Sequence, residues 1–429
     1  MSDVQLVLAV FFPVLLFLGV PIYAALGLTG LLVTWLTDSP LAFATQSILN
    51  GLDNFPLLAI PMFILAGNIM ERGGLTNDII NVFRRAFGHI PGSLGIVTIF
   101  SCMFFAAISG SGPGTVAAIG AILIPAMVKY GYPAPYAASV TATGGTLGVL
   151  IPPSNPMIIY AIIANVSIAD MFAAGFVPGL LVGLSLATVA WWIARRAGIT
   201  LAADENAGAS DSVLALLWQA KFALAMPFII LGGIYTGLFT PVEAAVVAVF
   251  YALAVSLLVY RQLTWTALRE AFDGAVRMSG ALMIVVACST LFARVITFER
   301  IPQELVTLFE SVSAEPLVIL LCINVLLLVV GTFMETISAI IILAPILVPL
   351  VRSFGIDPVH FGIILIVNIE IAFLTPPLGV NLFVGSQIAG IRIERVFRAI
   401  VPFILTLLAL LLVVSLVPAL SLFVPSLLR

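Results

Sequence analysis

The chain has 429 residues, of which 62% are hydrophobic and only 9% charged, with a mean hydropathy of +1.24. Soluble domains carry about 25% charged residues, so this composition excludes a soluble enzyme or regulator and describes a polytopic membrane protein with short loops. The net charge of −3 is a small sum over few groups and implies no nucleic-acid partner. Cys102, Cys288 and Cys322 lie in apolar runs, are odd in number and lack CxxC spacing, the pattern of buried inert thiols rather than disulfide or metal ligands. The N-terminus lacks a basic region and a small-residue cleavage site, so Val4 onward is expected to be a mature span rather than a signal peptide.

A span needs about 20 apolar residues. In chain order, candidates fall at 4–36, 55–71, 134–166 and 170–194, with an interrupted hairpin over 93–130. A polar linker, 197–212, then leads to 214–236, 238–260, 274–297, 358–388 and 396–424, with a second hairpin at 316–351. Pro13, Gly19 and Pro21 divide 4–36 into two helices, as the length of its counterpart at 218–260 also requires. Segments 76–90 and 300–312 are amphipathic, with Arg84 and Arg85 or Gln303 and Glu304 toward water. They are expected to lie in the interface or to join a fixed scaffold to a moving unit.

An irregular passage occurs twice. A shift of 224 residues carries Ile122, Leu123, Pro125 and Gly131 onto Ile346, Leu347, Pro349 and Gly355, and Leu150, Pro152 and Pro153 onto Leu374, Pro376 and Pro377. Lys and Arg mark the cytoplasmic side. The clusters at Arg72 with Arg84 and Arg85, Arg195 with Arg196, Arg261 with Arg269, and Arg392, Arg395 and Arg398 share that side if both hairpins enter and leave without crossing. Each half then crosses an odd number of times, so the halves are inverted. The expected fold is all-α: two inverted five-span repeats, each with a re-entrant hairpin and a Pro-broken helix. The first repeat covers 1–196 (scaffold 1–90, transport part 91–170), the linker 197–212, and the second repeat 213–429 (scaffold 213–312, transport part 313–390).

In lipid every backbone N–H and C=O needs an internal partner, so broken helices persist only where protein or a watery cavity covers them. Paired interruptions in corresponding halves point to a transporter's binding site. At the first tip, Gly110, Gly112 and Gly114 allow a turn, Ser109 and Ser111 supply hydroxyls, and Pro113 starts the returning helix. The matching tip runs from Gly331 to Thr336. Opposite each tip stands a Pro-Pro break that must free carbonyls, among them those of Gly148, Leu150 and Ile151; Thr375 adds a hydroxyl at the second break. Carbonyls with a few hydroxyls suit Na⁺, and the positive N-terminal ends of returning half-helices favour an anionic substrate. Glu335 and Glu370 are intramembrane carboxylates, expected to orient the hairpin, to pair, or to carry a proton. Asn155 and Asn381, just beyond the breaks, could bond a substrate or cap the returning half-helices. His89 and His360 sit at loop edges and carry no assigned chemistry. No G-x-x-x-x-G-K-(S/T) loop and no nucleophile–base cluster is present, so neither ATP hydrolysis nor an enzyme is indicated. Small residues such as Gly67, Gly274 and Gly280 would let a moving body slide along its scaffold.

The segments FPLLAIPMFILAGNIMERGG (55–74), FFAAISGSGPGTVAAIG (104–120), GVLIPPSNPMIIYA (148–161), GTFMETISAIIILAPILVPL (331–350) and FLTPPLGVNLFVGSQIAG (373–390) closely resemble the large membrane subunit of tripartite ATP-independent periplasmic (TRAP) transporters. The resemblance covers essentially the whole chain. It implies the ion-transporter-superfamily fold, an elevator-like moving domain, and Na⁺-driven import of an organic acid across the bacterial inner membrane. It also implies two partners, a small four-helix membrane subunit and a periplasmic substrate-binding protein, with Na⁺ as coupling ion and no other cofactor. Carried over by motif, one sodium site involves Ser109, Gly112, Gly148, Ile151 and Pro153, and the other Gly331, Ala372, Thr375 and Leu378. Ser111, Asn155, Glu335 and Asn381 are the candidate substrate ligands. Where the family often has a further serine at the first tip, this chain has Gly112, so one hydroxyl of that pattern is absent. A stand-alone carboxylate or anion symporter of the same superfamily, without partner subunits, is the alternative.

Overall fold

The computed structural model describes residues 3–90, 92–199, 213–313 and 315–428, which are helical throughout with no strand. Most of the linker 197–212 lies outside the described residues. Helix α1 (3–17, with a π-helical turn over Val7–Phe11) stops before Gly19, whose φ is +77°, and Pro21 precedes α2 (Ile22–Leu36). The division of 4–36 into two helices is therefore observed.

Next come α3 (Leu41–Leu52), α4 (Ala59–Arg72, entered through a 3₁₀ turn at Phe55–Leu58) and the amphipathic α5 (Leu75–Phe87). Sequence reading missed α3, because Thr45, Gln46, Ser47 and Asn50 dilute its apolar character. The first hairpin is α6 (Ser93–Ser109) with α7 (Gly112–Lys129); the broken span is α8 (Ala134–Leu150) with α9 (Asn155–Ala164), bent by 41°. Helix α10 (Ile168–Arg196) ends the half. The second half repeats this order: α11 (Lys221–Tyr235), α12 (Pro241–Val259), α13 (Trp265–Phe298), α14 (Ile301–Val312), the hairpin α15 (Pro316–Gly331) with α16 (Thr336–Ser353), the broken pair α17 (Pro358–Ala372) with α18 (Val380–Ala389), and α19 (Ile393–Leu416). At the same shift of 224, α3 plus α4 fall on the single long helix α13. The expected span 396–424 instead ends at Val417-Pro418, and a separate helix, α20 (Ala419–Leu428), packs on α10.

Packing follows the repeat. Helix α4 lies on α12 while α13 lies on α2, and α9 lies on α16 while α18 lies on α7. Thr146 and Glu370, equivalent under the shift, line one void of about 10 Å³ together with Leu150, Val367 and Leu407. The central helices are buried on every face, α8 from Tyr136 to Leu150 and α17 from Val359 to Ala372. Lipid offers no hydrophobic drive for helices to associate, so close approach depends on small residues. A β-carbon on Gly144 would stand only 2.7 Å from the Cys102 sulfur of α6.

All but the last of the basic clusters are tied to one end by direct contacts. Arg72 pairs with Glu270, the Tyr260 hydroxyl donates to Asp78 at 2.6 Å, Gly92 abuts Ala194, and the Tyr136 hydroxyl donates to the Ala190 carbonyl at 2.8 Å. Arg195 and Arg196 lie over the Trp191 and Trp192 rings at 5.3 and 3.9 Å, an arrangement suited to the membrane interface.

Four expectations need correction. Only Cys102 is buried, because the Cys322 side of α15 faces outward and Cys288 is half-buried. His360 is not at a loop edge: it sits in the first turn of α17, with Nδ1 3.3 Å from the Ser421 hydroxyl of α20. Gly274 faces Asn68 of α4 rather than a sliding boundary, and Gly280 faces open space. Gly67 abuts the end of α6, a β-carbon there falling 3.3 Å from the Cα of Ser109.

Candidate functional site

Prolines create the chemistry of both breaks. An α-helical carbonyl bonds the N–H four residues on; for Gly148 and Val149 those residues are Pro152 and Pro153, and for Ala372 and Phe373 they are Pro376 and Pro377, none with an N–H. In the second break the Ala372 carbonyl turns instead to Thr375, accepting from its N–H at 2.9 Å and its hydroxyl at 2.7 Å. In the first, Ile151 leaves the helix with extended backbone after its N–H reaches Leu147. Both Pro-Pro bonds are cis.

The first tip closes on the first break. Gly110 turns the chain at φ +58°, and a β-carbon there would sit 3.0 Å from the Pro153 carbonyl oxygen and 3.5 Å from the Asn155 amide. One on Gly148 would sit 2.5 Å from the Ser111 carbonyl and 2.7 Å from the Thr115 hydroxyl. The site requires glycine at both positions. The Ser109 and Thr115 hydroxyls are 2.9 Å apart, Thr115 donates to the Ser111 carbonyl at 2.8 Å, and the Ser111 hydroxyl caps α7 by accepting from Gly114 N–H. Ser109, Ser111, Gly112, Gly148 and Pro153 are thus brought together, while the Ile151 side chain packs toward Gly179.

The other broken span reaches into this cluster. Atoms of the Asn381 amide lie 3.3 Å from a β-carbon built on Gly112 and 3.2 Å from one on Gly145. Asn155 and Asn381 are both buried, and neither amide finds a protein partner for its oxygen or its nitrogen. Uncompensated burial of an amide costs about 1–3 kcal/mol, so both side chains keep donors and acceptors open to a partner from outside the chain.

At the second tip, the Thr332 carbonyl accepts from Leu378 N–H at 3.2 Å, and Gly331 sits against the Ala372 methyl. Gly331, Ala372, Thr375 and Leu378 are therefore adjacent. The Glu335 carboxylate caps α16, accepting from Ser338 N–H at 3.1 Å and Ser338 Oγ at 3.2 Å, while Glu370 Oε1 accepts from Thr336 at 2.9 Å. Both acids thus hold the start of the returning helix. The two sites differ in cover: Pro152 and Pro153 are buried, whereas Pro376, Pro377 and Leu378 are exposed.

Sequence reasoning gave no role to Thr115, Gly145 or Thr336, the last of which it named only as the end of the second tip. Thr115 was the findable one, one helical turn after Ser111, and it places a hydroxyl beside Ser109 near Gly112, which itself has none.

Two tip-and-break pairs in an all-helical chain of many apolar spans define a membrane transporter built by duplication. The family described as tripartite ATP-independent periplasmic transporter, DctM component, matches residues 8–420, and the chain belongs to it. It is 43% identical, over 96% of its length, to the isethionate TRAP transporter permease protein DctMQ of Oleidesulfovibrio alaskensis, of whose length it spans 65%. It is 41% identical to the C4-dicarboxylate TRAP transporter large permease protein DctM of Pseudomonas aeruginosa, over 94% of both chains. Against the sialic acid TRAP transporter large permease protein SiaM of Vibrio cholerae identity is 38% over 96% of both. Among solved structures, the YdaH transporter of Alcanivorax borkumensis has a similar fold, with a TM-score of 0.64 at 13% identity over 88% of each chain.

Proposed function

We propose that this chain is the membrane-spanning unit of a sodium-driven importer of an organic acid in the bacterial inner membrane. A small four-helix subunit completes it, and a periplasmic binding protein delivers the acid. The observation that carries this reading is the duplicated meeting of a tip with a proline-freed carbonyl. Ser109, Thr115 and the carbonyls around Gly148, Ile151 and Pro153, with Gly112, make one sodium site. Gly331, Ala372, Thr375 and Leu378 make the other. Oxygen ligands without a fixed negative charge suit a monovalent hard cation. Ser111, Asn155 and Asn381 are the donors for a carboxylate, aided by the positive starts of α7 and α16; Glu335 is spent on capping α16 and acts on the substrate only through that helix.

Movement is by elevator. Within the outer group (3–90 and 213–312), α4 and α13 are tied by the Arg72–Glu270 pair and by Asn68 donating to the Ala271 carbonyl at 3.2 Å. Within the hairpin group, Tyr160 donates to the Pro358 carbonyl, Arg352 to the Ala164 carbonyl, and Asn368 to Asn324. Each set of bonds strengthens one body, and separating a tip from its break would dismantle both ion sites.

The test is co-reconstitution in liposomes with the small subunit and candidate binding proteins, following labelled succinate, isethionate and sialic acid. Uptake of one of them is expected only with the binding protein and an inward Na⁺ gradient. An inward-negative potential adds drive if net positive charge enters, each charge contributing about 2.3 kcal/mol per 100 mV. Equal uptake in sodium-free buffer under a proton gradient would overturn sodium coupling. Equal uptake without partner proteins would favour the stand-alone symporter.

A further inference from the structure

A crevice of about 950 Å³ opens between the outer and hairpin groups, and no tip or break residue lines it. Its outer-group wall is the C-terminal part of α13 with Asn50 and Gly51 at the end of α3 and Asn54 in the α3–α4 break; its other wall is α9 and α16. Three arginines line it, Arg294 on α13, Arg300 at the corner into α14, and Arg352 on the last turn of α16, and none of its lining residues is acidic. Arg294 donates weakly to Ser47 at 3.5 Å and Arg352 to the Ala164 carbonyl at 2.6 Å, and none of the three has a carboxylate within ion-pair distance among the described residues. The acid Asp357, close in sequence to Arg352, is occupied in capping α17.

Location makes the cluster informative. Three of the four basic clusters gather at the opposite end, and the charge bias of membrane proteins depletes Lys and Arg from the outer side. Three guanidiniums lining one recess on that side, none paired with a carboxylate among the described residues, need a different cause. The recess also carries apolar walls, including Ile159, Ile163, Val286 and Val348, and amide and hydroxyl groups at Asn50, Asn165, Gln303 and Thr290. A few convergent polar groups in an apolar hollow of this size describe a site for a small organic molecule rather than a protein footprint, and guanidinium recognises carboxylate, sulfonate or phosphate.

We propose that this crevice is an anion-binding waypoint, where a small carboxylate or sulfonate is held by Arg294, Arg300 and Arg352 before it reaches the tips. The proposal rests on the organic-acid reading above and adds a second, outer site to it. Arg294 and Arg300 belong to the outer group and Arg352 to the hairpin group, so one bound anion touches both. It thereby favours this arrangement of the two bodies and must leave the bridge before they move, because a ligand shifts a conformational equilibrium by its differential affinity for the two states.

The experiment uses the full tripartite system in liposomes and whichever of succinate, isethionate and sialic acid the wild type imports. Arg294→Gln and Arg300→Gln are expected to raise the KM for the acid about tenfold each, the scale of one charge-assisted hydrogen bond, with maximal rate and half-saturating Na⁺ unchanged. Arg352→Gln also loses the Ala164 cap, so Arg352→Lys is run beside it and is expected to recover part of the KM. The KM shift should be the same in phosphatidylcholine vesicles and in vesicles containing phosphatidylglycerol. Wild-type failure to import any of the three acids defeats the organic-acid reading itself. Wild-type import with an unchanged KM in the Arg294 and Arg300 variants overturns the waypoint alone. A shift confined to phosphatidylglycerol vesicles assigns the crevice to a lipid phosphate, and a shift that vanishes at saturating binding protein assigns it to protein docking; either result overturns the proposal.

Discussion

Glu370 sits 3% exposed in the membrane interior with one donor, Thr336, on one oxygen and no protein partner on the other. The bond joins the middle of the second broken span to the first residue of the returning hairpin helix, so it sets where tip and break meet. Gln in its place keeps the volume and an acceptor for Thr336, and uptake by Glu370→Gln is expected to stay within about threefold of wild type. Glu370→Leu removes the acceptor and is expected to raise half-saturating Na⁺ by about tenfold, since an orphaned buried donor costs about 1–3 kcal/mol. Loss of uptake by a well-folded Glu370→Gln would show that the ionisable group itself is needed, and would restore the proton-carrier role. At the first tip, Ser109→Ala and Thr115→Ala should each raise half-saturating Na⁺, and the double variant should fall short of the product of the two, because the hydroxyls touch each other. Strict multiplicativity in sodium titrations of uptake would separate them into independent roles. Ser109 was legible in the sequence because a hydroxyl beside glycines in an apolar run has few structural uses. Thr115 was not, because threonine inside a helix is ordinary and only its neighbours give it meaning.

At the scale of elements, the second Pro-Pro break is the clearest place to test how carbonyls are freed. With alanine at position 376, the new N–H can bond the Ala372 carbonyl, extend α17 by a residue and compete with Thr375 for that oxygen. Pro376→Ala is therefore expected to keep the folded complex but raise half-saturating Na⁺ about tenfold, the scale of one hydrogen bond redirected. A sodium titration unchanged from wild type would mean that the Ala372 carbonyl is not a ligand. Hairpins and breaks could be located from sequence because proline and glycine act locally and the repeat displays them twice. The short helix α3 could not. Its polar residues belong on neither a lipid-facing span nor a soluble loop, and they are explained only by packing against α13 and by the crevice beside Asn50. The same asymmetry, two helices in one half against the single α13 in the other, is invisible to a search for what the halves share. It is also what builds the outer recess.

At the scale of the molecule, the repeat gives two of each part, while the bonds divide the chain differently, into an outer group and a hairpin group that each draw on both halves. The boundary between them is smooth where Gly67 meets the Ser109 backbone and open at the crevice. Small side chains against backbone let one body translate past another without unpacking a knob from a hole. The expected motion is thus a rigid displacement of residues 91–196 and 313–428 against the remainder. The natural cysteines at 102, 288 and 322 must first be replaced. A bridge between cysteines at Leu57 and Ile159, which line opposite walls of the crevice, should then stop uptake while leaving binding of labelled substrate intact. A bridge between cysteines at Thr141 and Ile388, which both adjoin Gly120 inside the hairpin group, should leave uptake unchanged. The two bridges differ only in whether they span the boundary, so the pair reads rigidity and motion separately. If the inner bridge stops uptake and the outer one does not, the moving part is a local gate within the hairpin group, and a body that travels whole is ruled out.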